Sequence, residues 1–329
     1  MPVRDGLPWL EESLASLARQ TLVDHEVVVV NDGSTDGSTA LLHGWSVRDP
    51  RVRVLHRPAE GLVASLNAGL DACRAPLVAR MDADDVSHPR RLELQAASLD
   101  ARPNVGVVSC RVVCVPRSRL EEGFRGYERW LNGLGDHDAM ARERFVDTPV
   151  AHPSVTLRRQ VVEAVGGWHD RGWPEDHDLW LRLFEAGVRF AKLDRALLFW
   201  RDRPDRLTRR DARYRRDRFL RCNAHFLARG PLSGAQRVVV WGAGPTGRRL
   251  ARALESEGLG VDAFVDIDPV KVGRTARGAP IVDEEELAGW LGPGTVVLAA
   301  VAARGARELV RARLTALGLV EGRDWWACA

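Results

Sequence analysis

Apolar and polar positions follow two rhythms along the chain, and the change from one to the other marks successive elements. Leu7, Leu10, Leu14 and Leu17 recur at helical spacing through "LPWLEESLASLARQ", and Pro8 suits the first turn of a helix, where no N–H is needed. "EVVVVN" at 26–31 is an unbroken apolar run, the pattern of a strand covered on both faces in a parallel sheet. A helix beginning near Ser38, a strand at "RVRVL", a helix over 60–73 and a strand at "PLVARM" continue the alternation. "VGVVSCRVVCV" reads as a longer strand with Cys110 and Cys114 on one core-packed face. Strand and helix in turn predict an α/β fold. No strand is legible before the first helix, where the sequence reads "MPVRDG". The expectation is a first strand cut short, with the natural chain starting upstream or the sheet lacking an inner strand.

After "GPLSGAQ" a second α/β pattern begins: strand "RVVVWG", helix 247–257, strand "VDAFVD", helix near 284–290, strand "TVVLAAV", helix 304–317 and the end "DWWACA". A length of 329 residues allows two domains, which places them at 1–208 and 233–329 with a connector at 209–232. Across 201–229 stand eleven arginines against four aspartates, with Phe219, Cys222 and Phe226 on one side of a helix. Two readings stay open: an amphipathic connector with a solvated basic face, or contact with anionic lipid headgroups or a lipid-phosphate acceptor. Nucleic acid is not expected, because the net charge is only +3 and no aromatic ladder accompanies the arginines. No apolar run is long enough to span a bilayer and no signal pattern is present, so the sequence predicts a soluble protein, peripheral at most to the inner membrane face. The five cysteines, odd in number and without zinc-ligand spacing, fit reduced thiols in the cytoplasm.

The densest chemistry lies at "ARMDADDVSHPRRLELQ", 79–95, where Asp82, Asp84 and Asp85 follow a predicted strand. Open α/β sheets place their ligands at that end of a strand. Carboxylates gathered there repel one another unless a cation neutralises them, and oxygen ligands suit Mg2+ or Mn2+. The alternative is capping of the next helix by Asp85 or Ser87, with Pro89 in its first turn, but capping accounts for one acid and not three. In "VVVVNDGSTDGS", Asp32 ends a buried strand and can accept hydrogen bonds from a base or a ribose. In "GGWHDRGWPEDHDLWLRLFEAG", Glu175, Asp176 and Asp178 open a helix whose Leu179, Leu183 and Phe184 face inward. The positive end of the helix dipole favours an ionised carboxylate there.

Taken in order, "NDGSTDGS", "GLVASLNAGL", "ARMDADD", "HPSVTLRR" and "EDHDLWLRL" resemble the inverting glycosyltransferases of family 2, which have the GT-A fold. The resemblance covers about residues 1–208 and implies roles. Asp32 would bind the base of a nucleotide-sugar donor, Asp82 would lie near its ribose, and Asp84 would hold the divalent cation on the diphosphate. Asp176 would be the general base toward a glycan, lipid-linked or other hydroxyl acceptor, with Glu175 or Asp178 as alternatives. The sequence departs from the family pattern at Arg4, where an aromatic commonly packs on the base, and at Arg203, where a histidine commonly completes the metal shell. An arginine can still stack. Trp168 and Trp173 flank a glycine-containing loop and form either an acceptor-sugar platform or core packing.

"VVVWGAGPTGRRLARAL" sets Gly242, Gly244 and Gly247 between a strand and a helix, with Asp266 ending the next strand. That context matches a dinucleotide fingerprint, so a dinucleotide or other nucleotide is expected here unless the glycines serve only packing. This part resembles the small Rossmann-like domains appended to some sugar- and methyl-transferring enzymes. No hydride-transfer machinery accompanies it. The competing reading for the whole chain is a nucleotide-responsive regulatory protein whose transferase domain has lost turnover.

Overall fold

A computed structural model describes residues 1–303 and 305–329, which fall into two compact units. The first unit comprises Met1–Met140, Pro149–Arg171 and Asp178–Arg209; the second comprises Ala141–Thr148, Gly172–His177 and Arg210–Ala329. Residues 210–232 are thus grouped with the second unit, joined by two short segments from within 141–177.

Along residues 1–210 the elements are β1 (Pro2–Val3), α1 (Leu10–Ala18), β2 (Val27–Asp32), α2 (Ser38–Arg48), β3 (Val52–Arg57), α3 (Leu62–Ala72), β4 (Leu77–Ala79), β5 (Val86–Ser87), α4 (Arg91–Asp100), β6 (Val105–Val115), α5 (Glu122–Gly133), α6 (His137–Glu143), β7 (Thr156–Arg158), α7 (Arg159–Ala164), α8 (Glu175–Glu185), β8 (Arg189–Arg201) and α9 (Leu207–Arg210). The first unit holds a parallel sheet in the order β1-β2-β3 and a mixed sheet in the order β4-β7-β6-β8-β5. Every residue of β2 is buried, as its apolar run requires, and its chain leaves the sheet at Asp32. Leu10, Leu14 and Leu17 bury one face of α1 against this core. Cys110 and Cys114 lie buried in the same cluster, on one face of β6.

Two sequence expectations about the first helix are corrected, and the placement of β4 adds a feature that the alternation did not specify. A strand does precede the first helix: Pro2 and Val3 pair in parallel with Val30 and Asn31, and two residues are too few to show a period. Helix α1 begins at Leu10, so Leu7 and Pro8 lie ahead of it and Leu7 is exposed. Strand β4 does not continue the parallel sheet; it runs antiparallel to β7 in the mixed one. Buried side chains of α4 fix the backbone there. Arg91 donates to the carbonyls of Arg80 and Val155, and Gln95 to those of Val108 and Ser154.

The second unit continues with α10 (Arg216–Arg229), β9 (Arg237–Trp241), α11 (Pro245–Glu255), β10 (Ala263–Val265), β11 (Thr275–Ala276), β12 (Ala279–Val282), β13 (Thr295–Ala299), α12 (Ala306–Ala316) and β14 (Trp325–Ala327). Its sheet order is β11-β12-β10-β9-β13-β14, parallel except for the β11–β12 ribbon. The chain therefore reverses its direction of travel across the sheet at β9, where the glycine turn lies. The helix expected near 284–290 is a single 3-10 segment, Glu286–Trp290.

Candidate active site

The three aspartates after β4 sit together, with carboxylate oxygens all within 4.8 Å of one another. The loop that carries them is held from two sides. Ser13 Oγ of α1 donates to the Asp82 carbonyl at 3.0 Å, and the Arg201 side chain donates to the Asp84 carbonyl at 2.8 Å. Asp85 is fully buried and accepts the Arg201 backbone N–H, while its Oδ2 has no hydrogen-bond partner. Burial, reinforced by the charges of Asp82 and Asp84, pushes the Asp85 carboxyl well above its ordinary value. Burial and then Asp82 raise Asp84 as well, against the pull of Arg203 and Arg206.

Neither capping nor a bare acidic rim describes this cluster. Helix α4 starts at Arg91, Ser87 pairs with Leu198 in β5, and Asp85 bonds to β8, so none of the acids caps a helix. Nor does charge compensation wait for a divalent ion. Arg80 is ion-paired with Asp82, and Arg203 Nε lies 2.8 Å from Asp84 Oδ2. The expectation that only a metal could neutralise the three carboxylates is therefore corrected: arginine supplies the balance. The donor set still fits a hard cation, because it offers only carboxylate oxygens at short mutual distance, one of them buried without a hydrogen bond.

Asp32, at the end of β2, is 3 % exposed and accepts the backbone N–H groups of Glu60 at 2.8 Å and Gly61 at 3.1 Å, just ahead of α3. Arg4 Nη1 stands 3.9 Å from the same carboxylate with its side chain 57 % exposed. The structure thus brings Asp32 and Arg4 together, an acceptor and a planar cation at the ends of adjacent parallel strands. A carboxylate has about four lone-pair sites, so these contacts leave Asp32 acceptor capacity.

Glu175 and Asp176 open α8, and both belong to the second unit. Buried Glu175 accepts a hydrogen bond from the Tyr214 hydroxyl at 2.7 Å. Burial, followed by the charges of Glu175 and Asp176, keeps that phenol protonated and donating. His177 bonds Asn223 at 2.7 Å and stacks on Phe219, and Asn223 donates to the Phe145 carbonyl. Asp178, by contrast, is wholly buried with Arg182 Nε at 2.7 Å and Arg171 at 3.7 Å. An acid so neutralised makes a poor proton acceptor. The tryptophans are core residues and form no open platform. Trp168 is 3 % exposed and donates to His152 Nε2, whose ring burial keeps neutral; Trp173 is 8 % exposed and packs on His225.

In the second unit the three glycines are not equivalent. Gly242 adopts φ +115, a conformation that side chains rarely take, and a Cβ on Gly247 would stand 1.8 Å from the Gly242 carbonyl oxygen. A Cβ on Gly244 would meet nothing within 4 Å. Asp266, at the end of β10, accepts the Ala243 N–H at 2.9 Å and pairs with Lys271 at 3.1 Å. Sequence reasoning missed Tyr214, Arg80 and Lys271. Tyr214 and Lys271 belong to no motif singled out in the sequence, whereas Arg80 stands inside "ARMDADD" and its pairing with Asp82 could have been suspected from that spacing.

Acid clusters at strand ends on an α/β core fit a glycosyltransferase of the GT-A type, and comparison with known proteins supports that class. The profile of "Glycosyl transferase family 2" matches residues 1–166, and the chain belongs to that family. The amylovoran biosynthesis glycosyltransferase AmsE of Erwinia amylovora is 33 % identical over 202 residues, covering 61 % of this chain and 73 % of AmsE. The UDP-Gal:alpha-D-GlcNAc-diphosphoundecaprenol beta-1,3-galactosyltransferase of Escherichia coli is 25 % identical over 201 residues, 60 % of this chain and 70 % of that one. The fold is shared with the mannosyltransferase PcManGT of Pyrobaculum calidifontis, solved with GDP-Man and Mn2+, at a TM-score of 0.52 and 21 % identity over 69 % of this chain and 61 % of that one. Among the described residues no helix is long and apolar enough to cross a membrane.

Proposed function

We propose that the chain is an inverting glycosyltransferase that moves a sugar from a nucleoside-diphosphate sugar to an acceptor hydroxyl, in the assembly of a polysaccharide or another glycoconjugate. The observation that carries this reading is the cluster of Asp82, Asp84 and Asp85, with oxygens close enough to share one cation. Asp32 and Arg4 hold the base, Asp82 the ribose, and Asp84 with Asp82 a Mn2+ or Mg2+ ion. Bound there, the cation acts as a Lewis acid on the negative charge that the diphosphate gains as it leaves. Asp176 takes the proton of the acceptor hydroxyl, whose oxygen attacks the anomeric carbon on the face opposite the departing diphosphate. The ion pairing of Asp178 speaks against it for that role and leaves Glu175 as the alternative to Asp176. The acceptor would be a glycan, a lipid-linked sugar or another hydroxyl, a reading supported by the diphosphoundecaprenol-linked acceptor in the name of the Escherichia coli relative.

The experiment is turnover of UDP- and GDP-sugars by the full chain with Mn2+, first without acceptor. Slow release of nucleoside diphosphate is expected. Asp176→Asn should keep donor binding but lose about a thousandfold in transfer, the usual range for a general base. No release from any donor, or normal transfer by Asp176→Asn, overturns the reading or the base assignment respectively.

The second unit reads as a Rossmann-like domain that binds a nucleotide through the turn at Gly242, Gly244 and Gly247. Its strand order and the open space at Gly244 favour this reading. Titration calorimetry of the full chain with NAD, NADP, acyl-CoA and nucleotide-sugars tests it; heat from none of them leaves the glycines to packing. A peripheral membrane role for the arginine-rich stretch finds less support. Arg201, Arg203, Arg206 and Arg209 are ion-paired with carboxylates of the first unit.

A further inference from the structure

Arg203 occupies the position where the family resemblance leads one to expect a metal-binding side chain, and its contact with Asp84 is unusual in form. The Nε atom lies 2.8 Å from Asp84 Oδ2, yet it is buried and makes no aligned hydrogen bond. Its Nη1 is shared with Asp205 at 3.3 Å. The pair therefore has Coulomb attraction without the paired N–H···O geometry that makes an arginine–carboxylate contact strong. Arg80, on Asp82, differs: its side chain is 5 % exposed, on the chain leaving β4, whereas Arg203 is 25 % exposed and lies on the loop after β8. Of the two compensating cations, Arg203 is the more exposed and so the freer to turn away. Arg206 nearby does not take its place, being stacked on Trp200 at 4.5 Å and near Asp202 at 4.0 Å.

We propose that Arg203 is a resident counter-cation for Asp84, which exchanges that carboxylate for the donor's diphosphate when a divalent ion binds. The inference rests on the metal-assisted reading above. An acidic pocket left uncompensated would destabilise the fold through its own repulsion and would gather any passing cation; a tethered guanidinium prevents both. The same group, once released, suits phosphate oxygens, because its planar fork of donors matches their spacing. Metal and nucleoside diphosphate then bind in a coupled way. Arg203 opposes the metal when it arrives alone and supports it when it arrives with the diphosphate.

Titration of Mn2+ by electron paramagnetic resonance, on the full chain with and without UDP or GDP, tests the exchange. Arg203→Ala should bind Mn2+ alone about tenfold more tightly, the worth of one partly buried charge-assisted contact. At saturating Mn2+ the same variant should bind the nucleoside diphosphate about tenfold more weakly. Arg203→Gln, which keeps most of the side chain's length and loses its charge, should behave as Arg203→Ala does. A single cooperative melting transition shows that both variants fold, with a midpoint expected below the parent's in the absence of metal. Equal or weaker Mn2+ affinity in Arg203→Ala overturns the exchange while leaving the transferase reading in place. So does tightening in the alanine variant that the glutamine variant lacks, since lost bulk would then be the cause. Absence of Mn2+ binding in parent and variants alike, even with diphosphate, overturns the metal-assisted reading and this inference together.

Discussion

The acidic loop after β4 and the glycine turn after β9 occupy equivalent places in their sheets, each just past the carboxyl end of a strand, and they are built from opposite materials. The first is made of side-chain charge: three carboxylates, balanced by Arg80 and Arg203. The second is made of backbone. Gly244, half-buried, stands at the start of α11, while Gly242 and Gly247 are buried and the Gly242 N–H is bonded to the Val265 carbonyl; the acid beside the turn, Asp266, is held by Lys271 and the Ala243 N–H. On the proposed reading, a site of the first kind would take a cation and whatever it carries, and one of the second kind an anion directly. Location within an α/β sheet thus says where a ligand goes, and the balance of charge at that place says which sign it has.

The contrast can be broken most severely at Asp84. Asp84→Ala should abolish Mn2+-dependent donor binding and lower transfer by about a thousandfold or more, since both the ion and its stabilisation of the leaving group are lost. Equilibrium dialysis of a UDP- or GDP-sugar with and without Mn2+ checks this, and metal-independent binding at full strength would contradict it. Next in size is a pair of glycine substitutions. Gly247→Ala drives a methyl into the Gly242 carbonyl and should cost about 3 kcal/mol of stability in the second unit, the upper range for overpacking. Gly244→Ala meets open space and should leave stability within about 0.5 kcal/mol, while weakening any nucleotide that approaches the turn. Urea unfolding of both variants separates packing from binding; equal losses would make the turn purely structural.

The smallest expected effect concerns Asp85, whose buried carboxyl titrates well above its ordinary 3.8. Between that ordinary value and the raised native one, the folded chain keeps a proton that the unfolded chain has released. Folding stability must then fall as pH rises through this window. Asp85→Asn removes the titrating group and keeps an oxygen to accept the Arg201 N–H. The variant should gain a few degrees in Tm over the parent at pH 7, a gain that disappears below the ordinary carboxylate value. A Tm difference independent of pH would show that Asp85 is ionised in the fold.

The acids and apolar runs were legible in the sequence because their signal is local. Residues 27–32 announce a buried strand by composition, and "MDADD" announces its chemistry by crowding. What was hidden depends on distant pairing. Tyr214 stands well after Glu175, so no spacing rule connects them, and Arg203, more than a hundred residues after Asp84, was reached only through the family resemblance. Trp168 was ambiguous for the same reason: its core role rests on Asn67, a hundred and one residues away, which bonds its backbone on both sides. Strand β1 escaped notice because two residues cannot display a rhythm; β4 was legible as a strand at "PLVARM", but its direction is set by β7 rather than by its own side chains.

The hydroxyl of Tyr214 and the amide of Asn223 reach back to Glu175 and His177, at the very start of α8. A protein shortened to the span that resembles the family, ending at 208, would keep the helix that carries the proposed proton acceptor and discard the two side chains that anchor its first turn. Such a fragment would keep Asp84 and its donor-side neighbours and lose the footing of its acceptor side. For anyone trimming this molecule for crystallography or engineering, Tyr214 and Asn223 belong with the start of α8 that they hold.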